Sequence, residues 1–165
     1  MGSPPADRRG RELSKRDREW LQTAIDLSCR CPLSYTAFSV GAVIVDEHGN
    51  ELSRGYSRET DDHVHAEESA LSKLPANDPR LKRATLYSSL EPCTKRRSRP
   101  RTCTQLILEA GIPRVVIAWK EPPTFVIDAH GAEALAAAGI TVITLPELAE
   151  AARSVNAHLV GRPGS

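Results

Sequence analysis

Three potential metal ligands and one carboxylate follow one another in a fixed order: His65-Ala66-Glu67, then Pro92-Cys93, then Cys103. A fold available to this chain has to bring residues 65, 93 and 103 to one point if they share an ion. An imidazole and two thiolates suit zinc. Three protein ligands leave a fourth position for water, whose pKa the metal lowers toward neutrality. Glu67 stands two residues after His65, so it can carry a proton from that water to a leaving nitrogen without binding the metal. The pattern predicts one Zn2+ per chain on His65, Cys93 and Cys103, with Glu67 as the catalytic acid-base group.

Two other uses of these residues stand beside that reading. A closed structural zinc site needs a fourth ligand, which His63 or Cys31 could provide, but it gives Glu67 no role. Four cysteines could also form two disulfides. Residues 1–18 are polar and charged, with no apolar stretch of a secretory leader, which points to a reducing cytoplasm.

A chain of 165 residues is expected to form one domain with a real core. No apolar run is long enough for a membrane helix. A net charge of +1 supplies no global basic field, so nucleic acid is not an expected partner. Residues 1–13 read as a mobile tail, 14–160 as the domain and 161–165 as a second tail.

Helix and strand patterns alternate through that domain. Ser14 can cap a helix to about residue 29, with Trp20, Leu21, Ala24, Ile25 and Leu27 on its apolar side. Residues 40–45 and 52–56 read as strands joined by a turn at 47–50. His65 opens a helix that Pro75 ends, and residues 84–89 form a third strand. Residues 103–110 read as a helix stopped by Gly111 and Pro113. A strand at 114–119, a helix at 132–138, a strand at 140–145 and a helix at 147–159 complete the series. The helix between the fourth and fifth strands makes those two parallel. One ligand at the start of one helix and two around the start of another put the metal at the carboxyl edge of the sheet.

With these motifs in view, the chain resembles the cytidine-deaminase-like zinc hydrolases. Within them it is most similar to the pyrimidine deaminase of riboflavin biosynthesis, the first half of a bifunctional deaminase-reductase. The similarity lies in Val40-Gly41-Ala42-Val43-Ile44-Val45, in His65-Ala66-Glu67 and in Leu86-Tyr87-Ser88-Ser89-Leu90-Glu91-Pro92-Cys93. It continues through Ala110-Gly111-Ile112-Pro113-Arg114-Val115-Val116 and the last helix around Asn156. The resemblance implies a three-layer α/β/α sandwich with a five-stranded mixed sheet. It also implies a hydrolase that releases ammonia from an amino-pyrimidine nucleotide of the diaminohydroxyphosphoribosylaminopyrimidine type, as a homodimer or larger oligomer; no reductase pattern follows residue 160, so a stand-alone, cytoplasmic form is expected. The run Tyr35-Thr36-Ala37-Phe38-Ser39-Val40-Gly41-Ala42 is instead similar to cytidine deaminases, with Ala37 where either family carries asparagine. A cytidine- or cytosine-type deaminase is therefore the alternative, and a non-catalytic zinc-binding module a further one.

Nine residues separate Cys93 from Cys103, among them Lys95, Arg96, Arg97, Arg99 and Arg101. This loop is a solvated charged face, a clamp on a substrate phosphate, or a contact for an RNA backbone. On the clamp reading Arg97, Arg99 and Arg101 bind substrate, with Phe38 and His63 as further candidate contacts. Trp119 and Phe125 are read as core residues that could also face a base, and Cys29 and Cys31 as free thiols.

Overall fold

The structure, a computed structural model, describes residues 5–96, 99–125 and 130–160. Strands β1 (Gly41–Val45), β2 (Glu51–Tyr56), β3 (Thr85–Ser88), β4 (Arg114–Ile117) and β5 (Thr141–Thr144) form one sheet in the order β2-β1-β3-β4-β5. β1 runs antiparallel to β2 and β3, while β3, β4 and β5 are mutually parallel. The helices are α1 (Pro5–Ser28), α2 (Ala66–Ser72), α3 (Cys103–Ala110), α4 (Gly131–Ala137), α5 (Ala149–Val155) and α6 (Ala157–Val160).

Both faces of the sheet are covered, which is why β1 is apolar at every position and buried throughout. Alternate side chains serve opposite layers. Val43, Val45, Tyr87 and Val116 pack with Leu21, Ala24, Ile25 and Leu27 of α1 and with Ala152 of α5. Ile44, Leu86, Val115 and Ile117 pack on the other side with Ala70 of α2, Ile107 of α3 and Leu135 of α4. The result is the expected three-layer sandwich, with parallel order extending from β4 and β5 to β3 as well. A buried ion pair fastens α1 to the sheet. Asp17 accepts hydrogen bonds from Tyr87 Oη at 2.7 Å and Arg114 Nη1 at 2.8 Å.

One glycine seats the helix that carries the first ligand. A Cβ on Gly55 of β2 would lie 2.6 Å from the Ala66 carbonyl oxygen and 2.6 Å from the Ala70 nitrogen. Only a residue without a side chain lets α2 lie this close to the sheet.

Two boundaries differ from the sequence reading. α1 begins at Pro5, inside the span 1–13 read as a tail, and Ser14 lies within it rather than capping its start; residues 161–165 lie outside the described residues. Pro is well suited to a helix's first position, and the arginines, Glu12 and Leu13 that follow favour helix. The single last helix expected over 147–159 is instead a 3-10 turn at Pro146–Leu148 followed by α5 and α6. The break falls at Asn156, whose amide donates to the Ala152 and Ser39 carbonyls, a local competition with the helix ladder.

Candidate metal centre

Three element ends meet at one edge of the sheet. His65 caps the start of α2, and Cys103 is the first residue of α3. α3 starts there because Thr102 and Gln105 form a reciprocal capping box. Thr102 Oγ1 accepts from the Gln105 nitrogen at 3.2 Å, and Gln105 Oε1 accepts from the Thr102 nitrogen at 2.9 Å. Cys93 follows the end of β3, and the backbone nitrogen and hydroxyl of Thr104 pin its carbonyl at 3.2 and 2.8 Å. Glu91 braces the same turn. Its Oε1 accepts from the Glu121 nitrogen at 3.1 Å and its Oε2 from the Ala132 nitrogen at 2.8 Å, tying the turn to the end of β4 and the start of α4.

His65 Nδ1 lies 3.6 Å from Cys93 Sγ and 3.3 Å from Cys103 Sγ. The ligand atoms of the three residues fall within 4.8 Å of one another, the one such group among the described residues. A tetrahedral zinc with ordinary Zn–N and Zn–S bonds separates its ligand atoms by roughly 3.5–3.8 Å, so the set fits that ion. Cys31 and His63 are not in the group. The Cys31 thiol is instead 3.5 Å from the Val40 carbonyl, and His63 is exposed. All four cysteines are free thiols.

The contact between the two ligand cysteines shifts their ionisation in opposite directions. The Cys103 thiol donates to Cys93 and, with His65, holds it as a thiolate with its pKa lowered to about 4, against the opposing effect of burial. Cys103 is pushed well above the usual thiol range by that same contact, then by burial, then by the Glu67 charge. A dication takes the place of such a proton readily, because both sulfurs then become thiolates against a positive centre.

Glu67 is 3% exposed on α2, and its Oε1 lies 2.7 Å from Ser88 Oγ. Ser88 Oγ is also 2.7 Å from the Leu90 carbonyl. The carboxyl group is therefore fixed from β3 while its charge is felt at Cys103. Glu121 is a second acid at the centre, and the sequence reading missed it. Its pKa is raised to about 7, chiefly by burial and then by the Cys93 thiolate and Glu91. The available signal was its place just past β4, on the edge that already carried the ligands.

The other sequence candidates separate. Phe38 is 7% exposed and packs edge-on against Trp119 and Phe125, at ring-centre distances of 5.5 and 5.0 Å. His63 contributes backbone contacts, its nitrogen donating to Asp61 Oδ1 at 2.8 Å. Arg99 meets Asp61 and Glu68, and Arg101 pairs with Glu109 at 2.9 Å. Arg97 lies outside the described residues.

A family model described as the cytidine and deoxycytidylate deaminase zinc-binding region matches residues 14–119. The chain belongs to this family. It is 41% identical over 127 residues to the diaminohydroxyphosphoribosylamino-pyrimidine deaminase of Schizosaccharomyces pombe, an overlap of 76% of this chain and 31% of that protein. RibD of Acinetobacter baumannii superposes with a TM-score of 0.74 at 28% identity, over 88% of this chain and 39% of that one. The Rib2 deaminase of Aspergillus oryzae does so with a TM-score of 0.70 at 27% identity, over 90% and 93%. The chain spans about a third of the length of that Schizosaccharomyces pombe protein and of the RibD of Aquifex aeolicus, to which it is 37% identical over 127 residues. Zinc is the metal of this family's region, in agreement with the donor set of His65, Cys93 and Cys103.

Proposed function

We propose that the chain is a hydrolytic deaminase of an amino-pyrimidine nucleotide, of the diaminohydroxyphosphoribosylaminopyrimidine type, with zinc on His65, Cys93 and Cys103. The observation that carries this reading is Glu67, a buried carboxyl beside the ligands and held by Ser88. Zinc, when bound, supplies the Lewis acidity that makes a water nucleophilic near neutral pH. Glu67 would carry one proton of that water to the ring nitrogen and then the second, from the hydroxyl on the attacked carbon, to the departing amine, so that the carbonyl forms as ammonia leaves. Water and the amino-pyrimidine become the oxo-pyrimidine and ammonia. A non-catalytic zinc module has no use for a buried acid at this position.

The phosphate end of the substrate is assigned to the loop between the cysteines. Arg101 is its most accessible described arginine, and its pair with Glu109 is more than half exposed on both sides. An exposed pair of that kind contributes at most about 1 kcal/mol, so a phosphate displaces Glu109 at little cost. The second reading is a nucleoside or free-base deaminase. What favours it is the engagement of Arg99 by Asp61 and Glu68, which leaves the loop's charge partly neutralised from within.

The four free thiols, two of them needed as ligands, support a reducing cytoplasmic setting. A homodimer or larger assembly rests on family resemblance, and sedimentation at micromolar concentration tests it. No described helix is long and apolar enough to cross a membrane. The deciding experiment is ammonia release by zinc-loaded protein from diaminohydroxyphosphoribosylaminopyrimidine, its dephosphorylated form, cytidine and cytosine. Faster turnover of the phosphorylated substrate than of the other three is expected. Equal rates with and without phosphate favour the second reading, and no ammonia from any of them removes the enzymatic one.

A further inference from the structure

The loop strung between the two cysteine ligands is fastened to the helix that carries the third. Arg96 Nη2 donates to Glu68 Oε1 at 2.8 Å and to the His63 carbonyl at 2.6 Å, and its side chain is 2% exposed. The same Glu68 Oε1 accepts the backbone N–H of His65 at 3.2 Å. Arg99 extends the contact outward. Its Nη2 lies 2.5 Å from Asp61 Oδ2, and its Nε lies 3.4 Å from Glu68 Oε2. Asp61 in turn accepts from the His63 nitrogen at 2.8 Å. Glu68 thus holds the backbone of one ligand with the oxygen that also receives the cation lying three residues beyond another.

We propose that Glu68 and Arg96, with Arg99 and Asp61 as their outer part, form an ion-pair latch that preorganises His65, Cys93 and Cys103 and retains the metal. This rests on reading those three residues as the zinc ligands. The physical argument has two steps. Thr104 ties the Cys93 end of the nine-residue loop to α3, and Arg96 with Glu68 adds a tie to α2, the helix whose start carries His65. A guanidinium this deeply buried is tolerated only with its carboxylate in place, so the loop is committed to one position against α2 before the ion arrives. Partners of this kind fix ligand geometry without touching the metal, and their loss typically lowers affinity ten- to a hundredfold. Burial also separates Arg96 from any role as a phosphate clamp, since its charge is spent inside the protein.

The test is the rate at which fully zinc-loaded protein yields its metal to an excess of a chromogenic chelator. Glu68→Gln should release zinc about tenfold faster or more while keeping the parent's circular-dichroism spectrum, and its metal-free melting temperature should fall because Arg96 loses its carboxylate. Glu68→Asp should recover part of the loss. Asp61→Asn and Arg99→Gln, at the exposed end, should accelerate release to a smaller degree, and they keep the test open if Glu68→Gln folds poorly. Parent-like release in Asp61→Asn, Arg99→Gln and any folded Glu68 variant overturns the latch. Failure of the parent itself to take up one zinc overturns the ligand reading instead.

Discussion

Ser88 Oγ sits 2.7 Å from Glu67 Oε1, so a strand residue fixes the buried acid that α2 carries beside the metal ligands. Ser88 is fully buried, and the hydroxyl also lies within 2.7 Å of the Leu90 carbonyl. It can donate to Glu67 as a carboxylate. Once Glu67 holds a proton, it can accept from Glu67 and donate to Leu90 instead. A proton carrier needs such a partner in both of its states.

Glu67→Gln is expected to fold, hold one zinc and lose deamination by orders of magnitude. Ser88→Ala removes a hydrogen bond to a charged group, worth about 1.5–3 kcal/mol, and should lower kcat roughly ten- to a hundredfold. Steady-state kinetics should show KM nearly unchanged in Ser88→Ala, since the contact concerns the carboxyl group rather than the substrate. A change confined to KM would remove Ser88 from this role.

Glu121 gives the metal-free protein a pH signature. Its pKa is about 7 in the fold against 4.5 as the ordinary value, raised by burial first and the Cys93 thiolate second. Below 4.5 the group is protonated in both states. Between about 4.5 and 7 the unfolded chain gives up this proton while the fold keeps it, so stability falls across that window and levels off above it. Urea titrations of chelator-treated protein at several pH values should show Glu121→Gln losing less stability over this range than the parent. Bound zinc should shrink the difference, because a dication lowers the pKa of a nearby acid.

Asn156 closes the fold around the loop that bears Phe38. Its Oδ1 accepts from the Ser39 nitrogen at 2.7 Å and its Nδ2 donates to the Ser39 carbonyl at 3.0 Å, with the side chain 1% exposed. Asn156→Ala leaves both Ser39 backbone groups buried without these partners and should cost about 2–4 kcal/mol. Asn156→Asp should be damaging too, because it turns the amide donor into an acceptor facing a carbonyl. Thermal unfolding of the two variants measures this.

Much of the architecture was written locally. α3 spans the predicted residues because its capping box and Gly111, at φ 77° in the left-handed region, mark its two ends. The ligand triad was legible for a similar reason: residue types and spacing name metal chemistry before any contact is known. What escaped the sequence depends on contacts between distant segments. Ser88 reads as a strand residue until α2 places Glu67 over it, and Glu68 reads as a solvated helix acid until Arg96 reaches it. The loop arginines looked like an anion site because their acidic partners lie 28 or more residues away for Arg96 and Arg99. The break before α6 was hidden for the opposite reason. Asn156 is a poor signal in a good helical pattern, and its commitment to Ser39 is visible only in the fold.

The ligand assignment itself has a sharp test in Cys103. Its Sγ is the ligand atom nearer to His65 Nδ1, and the residue is fully buried at the first position of α3. Cys103→Ser keeps the size of the side chain and the capping box, so the helix should form as before. A hydroxyl does not ionise near neutral pH, whereas a thiol beside a metal does, so the variant offers zinc one thiolate where the parent offers two. Metal analysis after dialysis should find about one zinc per parent chain and well under half that in the variant, with the secondary structure retained. Full zinc in folded Cys103→Ser would mean that another group completes the site, and the roles given to Cys93 and His65 would need to be drawn again.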